Sequence, residues 1–214
     1  GHDVSVIDCA VDCRSVSELK KRLLALKPDI AAVPAIYGTA RNAYKIARAV
    51  KESSGGLVVF GGLPATFSAG RVLAECPQAD ICVINEGEIS MRELAAGRPP
   101  AGIPGLAFRR DGKFFSTGPG KFVEDLDELP LPARHLFPAE KYHGISFHPF
   151  PRRCSTNMET KRGCPFSCEF CLQAPKEGHK YRLRSHAKVI EEMLRIKRDL
   201  PYIGRIMIVD HDFL

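Results

Sequence analysis

Short apolar runs at Val4–Ile7, Ile30–Val33, Leu57–Phe60 and Ile81–Ile84 recur at near-equal intervals, each followed by a stretch of helical periodicity. This alternation constrains the fold more than any other feature. Strands joined through helices run parallel, and a parallel sheet needs helices to cover it. The first half therefore reads as an α/β, doubly wound, Rossmann-like parallel sheet with ligands expected beyond the C-terminal ends of its strands. The helical stretches carry their own signals. Ser15-x-x-Glu18 is a capping box, and Val16, Leu19, Leu23 and Leu26 mark one face before Pro28 ends the helix. The next helix carries Ala43, Ile46, Ala47 and Val50 at i, i+3, i+4 and i+7.

Two of the strand ends stand out. Phe60-Gly61-Gly62-Leu63-Pro64-Ala65-Thr66 places two glycines where a strand turns into a helix, which lets backbone approach a bulky or anionic group. A tight βα turn would use the same residues. Asn85-Glu86-Gly87-Glu88 sets Gly87 before a helix and reads equally well as a capped turn. Farther on, Asp111-Gly112 between Gly102–Phe108 and Lys113–Thr117 predicts a hairpin. The proline-rich stretch from Leu129 to Pro151 reads as an extended connector, with His135, His143 and His148 as surface histidines.

The most specific chemistry lies in Arg162-Gly163-Cys164-Pro165-Phe166-Ser167-Cys168-Glu169-Phe170-Cys171, a C-x3-C-x2-C run. Three thiolates from one loop suit three corners of an iron–sulfur cluster, whereas clusters that only carry electrons take four cysteines. No cysteine follows Cys171, so one iron is left open for a substrate or cofactor. A zinc site with His179 as fourth ligand is the rival reading, although structural zinc favours paired C-x2-C knuckles. A disulfide framework does not suit eight cysteines, some clustered and some isolated, in a chain with no secretory signal. A strand is expected over Cys154 to Thr160 before the loop. Beyond it, Ser185 caps a helix with Val189, Ile190, Met193 and Ile196 on its apolar face, ending at Leu200-Pro201. A further strand, Arg205–Val209, ends at Asp210-His211-Asp212.

The 31 basic and 25 acidic residues leave a net charge of +6, but the basic residues are scattered, so nucleic-acid binding is not expected. No apolar run approaches the ~20 residues of a membrane helix. The expected location is the cytoplasm.

The segment from Thr160 to Leu172 resembles the cluster loop of the radical S-adenosylmethionine (SAM) enzymes. That resemblance implies the start of a radical SAM (β/α) barrel and a 4Fe-4S cluster on Cys164, Cys168 and Cys171, whose free iron chelates SAM. One electron would then cleave SAM to a 5′-deoxyadenosyl radical. It places Phe170 near the adenine, and Asp210 or Asp212, at the end of the second barrel strand, against the methionine amino group. The first half resembles the cobalamin-binding domain of the cobalamin-dependent class. There Gly61, Gly62, Thr66, Glu86, Gly87 and Glu88 match residues that enclose the nucleotide tail of cobalamin. Glu124 to Arg134 is similar to that class's interdomain linker, and Lys180 to Ser185 to its stretch before the first barrel helix.

The organisation implied is a cobalamin-binding-like domain over 1–97, a hairpin and proline-rich linker over 98–150, and the N-terminal part of the barrel over 151–214. The activity implied is methyl transfer or a related radical reaction on an unnamed small molecule, with flavodoxin or ferredoxin as the reducing partner; no catalytic residue is assigned. A methylthiotransferase-like enzyme, suggested by Cys9, Cys13 and Cys76, and a non-catalytic fragment or zinc-binding module are the alternatives. Two departures matter. No strand precedes Val4–Ile7, and the Asp-x-His-x-x-Gly loop of other cobalamin proteins is absent, so no cobalt ligand can be named. The chain is thus expected to be a fragment, inactive by itself.

Overall fold

A computed structural model describes residues 1–13, 15–137, 141 and 154–212; His143 and His148 lie outside the described residues. The chain divides into two compact units, one of Gly1–His2 with Asp12–Val123 and the other of Asp3–Val11 with Glu124–Leu214.

In the first unit, α1 (Val16–Leu26) leads into β1 (Ile30–Pro34), α2 (Ala40–Ser53), β2 (Leu57–Gly61), α3 (Leu63–Glu75), β3 (Ile81–Val83) and α4 (Glu88–Ala95). The hairpin β4 (Leu106–Arg110) and β5 (Lys113–Ser116) follows. The sheet order is β1-β2-β3-β4-β5, parallel through β3 and antiparallel beyond it. Val59, Ile81, Val83, Leu94, Ile103 and Leu106 form its core. The Ser15 hydroxyl accepts the Glu18 amide at the head of α1, as the capping signal requires. At the other end of α3, the Arg109 guanidinium donates to the carbonyls of Leu73, Pro77 and Ala79. A helix C-terminus leaves such carbonyls without partners, and one fork of donors answers several of them.

Three expectations are corrected here. Val4–Ile7 forms no strand. A strand exists through its ladder, and this segment has no sheet neighbour among the described residues; Asp8 instead folds it locally, accepting Val11 N–H on its carbonyl and Ala10 N–H on its carboxylate. The sheet is mixed rather than wholly parallel, because β4 buries Leu106 and Ala107 beside β3 and so makes the hairpin part of the first unit. Only Leu19 and Leu23 of the α1 stripe are buried, while Val16 and Leu26 are exposed.

The second unit contains β6 (Cys154–Met158), β7 (Lys161–Arg162), α5 (Gln173–Glu177), β8 (Arg182–Leu183), α6 (His186–Asp199) and β9 (Ile203–Ile208). Here β6 pairs with β9 in parallel and β7 with β8 antiparallel. Ser185 caps α6 by accepting Lys188 N–H, and the Asp127 carboxylate accepts Ser185 N–H, so the segment after Val123 is tied to the helix start. Of the face assigned to α6, Ile196 is buried, but Ile190 is exposed. The residue that α6 buries most completely is Glu192, only 1% exposed. Its carboxylate bridges Arg134, at 2.5 Å, and Arg184. Both arginines go on to main-chain acceptors, Arg134 to Asn157 O and Arg184 to Glu159 O, fastening α6 to β6 and to its continuation. Removing one member of such a buried set strands the others. Glu192→Gln is therefore expected to lower the stability of the chain by about 3 kcal/mol, read from the urea midpoint. A loss below ~1 kcal/mol would mean the arginines behave as an exposed pair.

Candidate functional site

The three-cysteine loop lies between β7 and α5, and its entrance is held at several points. Gly163 adopts φ +88, and a Cβ there would sit 2.0 Å from the Lys180 carbonyl oxygen, so only glycine lets these two backbones pass. Cys164 N–H donates to Gly178 O, and Cys171 N–H to Cys168 O. Cys168 is exposed and Cys164 and Cys171 are partly so; none forms a disulfide. Among the described residues, no three His, Cys, Asp or Glu side chains stand close enough to hold a metal ion. The loop thus presents its three thiols from one short segment without gathering them. His179, the fourth ligand of the zinc reading, is exposed and has not joined them. Phe170 stands 91% exposed.

The other cysteines differ in chemistry. Burial pushes the Cys82 thiol up to about 12 and raises that of Cys76, so both remain thiols at neutral pH and behave as small apolar side chains. Cys154 opens β6, paired with Ile203.

At the C-terminal end of β9 the two candidate carboxylates have protein partners. Asp210 accepts the amides of Thr160 and Lys161 and the Thr160 hydroxyl. Asp212 accepts the Tyr181 phenol, and this hydrogen bond pushes the phenol up to about 12. The Lys161 ammonium lies 4.2 Å above the Tyr181 ring. Tyr181 lies in the Lys180 to Ser185 stretch, and its partner Asp212 is 31 residues away. Beside them, burial would raise Glu177, but Lys176 at 2.7 Å and His211 at 3.2 Å hold its carboxyl below the usual range.

The strand ends of the first unit carry the remaining candidates. Gly62 has φ +93, and a Cβ would lie 2.2 Å from Ala35 O, whereas a Cβ on Gly61 would meet nothing within 4 Å. Gly62 is thus required by the turn itself, and Gly61 faces open space. The Thr66 hydroxyl accepts Asn85 N–H at 3.1 Å and ties the β2 and β3 loops together. Glu86, 7% exposed, accepts Val123 N–H at 2.9 Å, so its carboxylate closes the protein's own chain. Gly87 caps α4 with room for a Cβ, and Glu88 lies in the first helical turn, where its charge suits the helix dipole.

Comparison with known proteins accounts for both halves. The family model described as the B12 binding domain matches residues 1–95. The uncharacterized methyltransferase PH0819 of Pyrococcus horikoshii is 33% identical over 199 residues, covering 90% of this chain and 42% of that protein. The anaerobic magnesium-protoporphyrin IX monomethyl ester cyclase of Rubrivivax gelatinosus is 34% identical over 200 residues, covering 89% of this chain and 35% of its own length. The chain thus spans less than half of the curated relatives it matches. The solved cobalamin-dependent S-adenosylmethionine radical enzyme OxsB shares the fold with a TM-score of 0.76 at 20% identity, over 97% of this chain and 28% of that one. A B12-binding N-terminal half, a three-cysteine loop after β7, and relatives matched along both place the chain in the family of cobalamin-dependent, B12-binding radical SAM enzymes.

Proposed function

We propose that the protein is a radical SAM enzyme whose first unit binds cobalamin and whose Cys164, Cys168 and Cys171 thiolates hold a 4Fe-4S cluster. When bound, the cluster supplies the electron that cleaves SAM, and cobalamin supplies a carrier for a methyl group. The chain's own part is to bind and orient. The Gly163 turn and the Cys164–Gly178 hydrogen bond would hold the first ligand, Cys164, in place, and Cys168 is the most exposed of the three. Three thiols free of disulfides on one short loop are the donor set that such a cluster takes. That set, in a chain whose residues 1–95 match a B12-binding domain, is the observation that carries the reading. Relatives named for methyl transfer and for ring closure make methyl transfer the first expectation for the substrate step and cyclisation the second.

Anaerobic reconstitution with ferrous iron and sulfide tests the cluster. Cys164→Ala, Cys168→Ala and Cys171→Ala should each abolish the cluster's visible absorbance, while Cys154→Ala and Cys82→Ala keep it. Iron loss on Cys154→Ala equal to that on Cys168→Ala, or tight zinc in place of iron, would overturn the assignment. Before iron is added, iodoacetamide near pH 8 should label the loop thiols and leave Cys76 and Cys82 unmodified, because burial raises those two.

Cobalamin binding is tested best at Gly61. Its Cβ direction is open, so Gly61→Val should fold normally yet weaken hydroxocobalamin binding by on the order of tenfold, about 1.4 kcal/mol, in equilibrium dialysis. Gly62→Ala should instead destabilise the fold by more than ~1 kcal/mol, because it forces a side chain into positive φ against Ala35 O. Wild-type affinity in Gly61→Val would move the cobalamin site away from this strand end.

A further inference from the structure

The geometry points to Asp210 as a positioning residue for the cluster loop, which locks the end of β6 through Thr160 instead of meeting the cofactor; this rests on the loop being the metal site proposed above. The argument starts from the ladder. Strands β6 and β9 pair in parallel up to Met158 and Ile208, and Val209 N–H still reaches Met158 O at 3.0 Å. Beyond that point β6 must leave the sheet, because Lys161 and Arg162 turn to pair with β8. The amides released by that turn need acceptors. Asp210 provides them from the first position beyond Val209. One carboxylate oxygen accepts Thr160 N–H at 2.8 Å and Lys161 N–H at 3.3 Å, and the other accepts the Thr160 hydroxyl.

Thr160 is held from its other side as well, since its carbonyl accepts Arg184 N–H at 2.9 Å. Every polar group of Thr160 is therefore committed four residues before Cys164. The hold passes down the chain through the β7–β8 pair to Gly163 against Lys180 and to Cys164 N–H on Gly178 O. A metal ligand's affinity depends on such supporting bonds, and losing one costs on the order of 10–100-fold. Three of the roughly four acceptor positions of the Asp210 carboxylate are taken by this latch, which leaves little for a ligand's amino group. Asp212 stands apart from this latch in the bond resolved for it, which comes from the Tyr181 side chain.

The experiment uses the full chain, reconstituted with iron and sulfide, and follows three readouts: iron loss to a chelator, SAM binding per cluster by equilibrium dialysis, and amide hydrogen exchange over 160–171 in the iron-free protein. Asp210→Ala and Thr160→Val should each release iron about tenfold faster than the wild type and exchange faster across the loop. Thr160→Ser, which keeps the hydroxyl, should behave as wild type, as should Asp212→Asn for iron. SAM affinity per remaining cluster should be unchanged in Asp210→Ala, Thr160→Val and Thr160→Ser. Asp210→Ala with wild-type iron release and weakened SAM binding would overturn the inference and make Asp210 a cofactor ligand. If the wild type takes up no iron, the cluster reading fails, and hydrogen exchange still decides the latch: unchanged loop protection in both Asp210→Ala and Thr160→Val refutes it.

Discussion

The bridging of Glu192 between Arg134 and Arg184 is the interaction on which the second unit depends. An ionised carboxylate at 1% exposure is tolerated only when its charge is matched and its lone pairs are filled, and here two guanidinium groups do both. The same guanidinium groups have donors left over. Arg134 spends one on Asn157 O and another on Thr156, and Arg184 spends one on Glu159 O. One charge at the centre of α6 therefore sets the height of that helix against β6, and with it the point at which β6 ends. The three-cysteine loop follows β7, just beyond that charge-fastened Glu159 carbonyl, and its thiols are exposed or partly so.

The first unit fastens its strand ends with single short contacts instead of a charge network. Gly62 and Ala35 pass so closely that no side chain fits, Thr66 binds the next loop by a single hydroxyl, and Glu86 draws the chain after β5 across the end of β3. These contacts are short-range and rigid, and they leave one direction open, that of Gly61. The two units thus fasten their loops differently: by close backbone approach in one, and by a network of charged side chains around Glu192 in the other.

Burial also separates two of the eight cysteines from the rest. Cys76 and Cys82 lie within the packed sheet region, where a thiolate would be costly, and their thiols are raised accordingly. The three loop thiols lie outside that packing, as do Cys9, Cys13 and Cys154, each partly exposed.

Much of this was legible in the sequence, and for a physical reason: the signals concerned are local. Ser15 and Ser185 cap the helices their spacing predicts, Asp111-Gly112 turns the hairpin, and C-x3-C-x2-C puts three thiols on one loop whatever surrounds it. Helical and strand periodicities likewise report on residues a few positions apart. What the tertiary structure alone decided involves partners far apart in sequence. Val4–Ile7 has the composition of a strand but no ladder neighbour among the described residues, so it forms none there. Gly61 and Gly62 look equivalent until Ala35 O approaches one of them and not the other. Glu192 reads as a surface residue on a polar helix until Arg134, 58 positions away, closes on it. Nothing local in the sequence signals that Asp210 accepts from Thr160, 50 positions away. Local spacing specifies which elements form and which side chains they carry; only the closure of the chain specifies which of those side chains are left free to act.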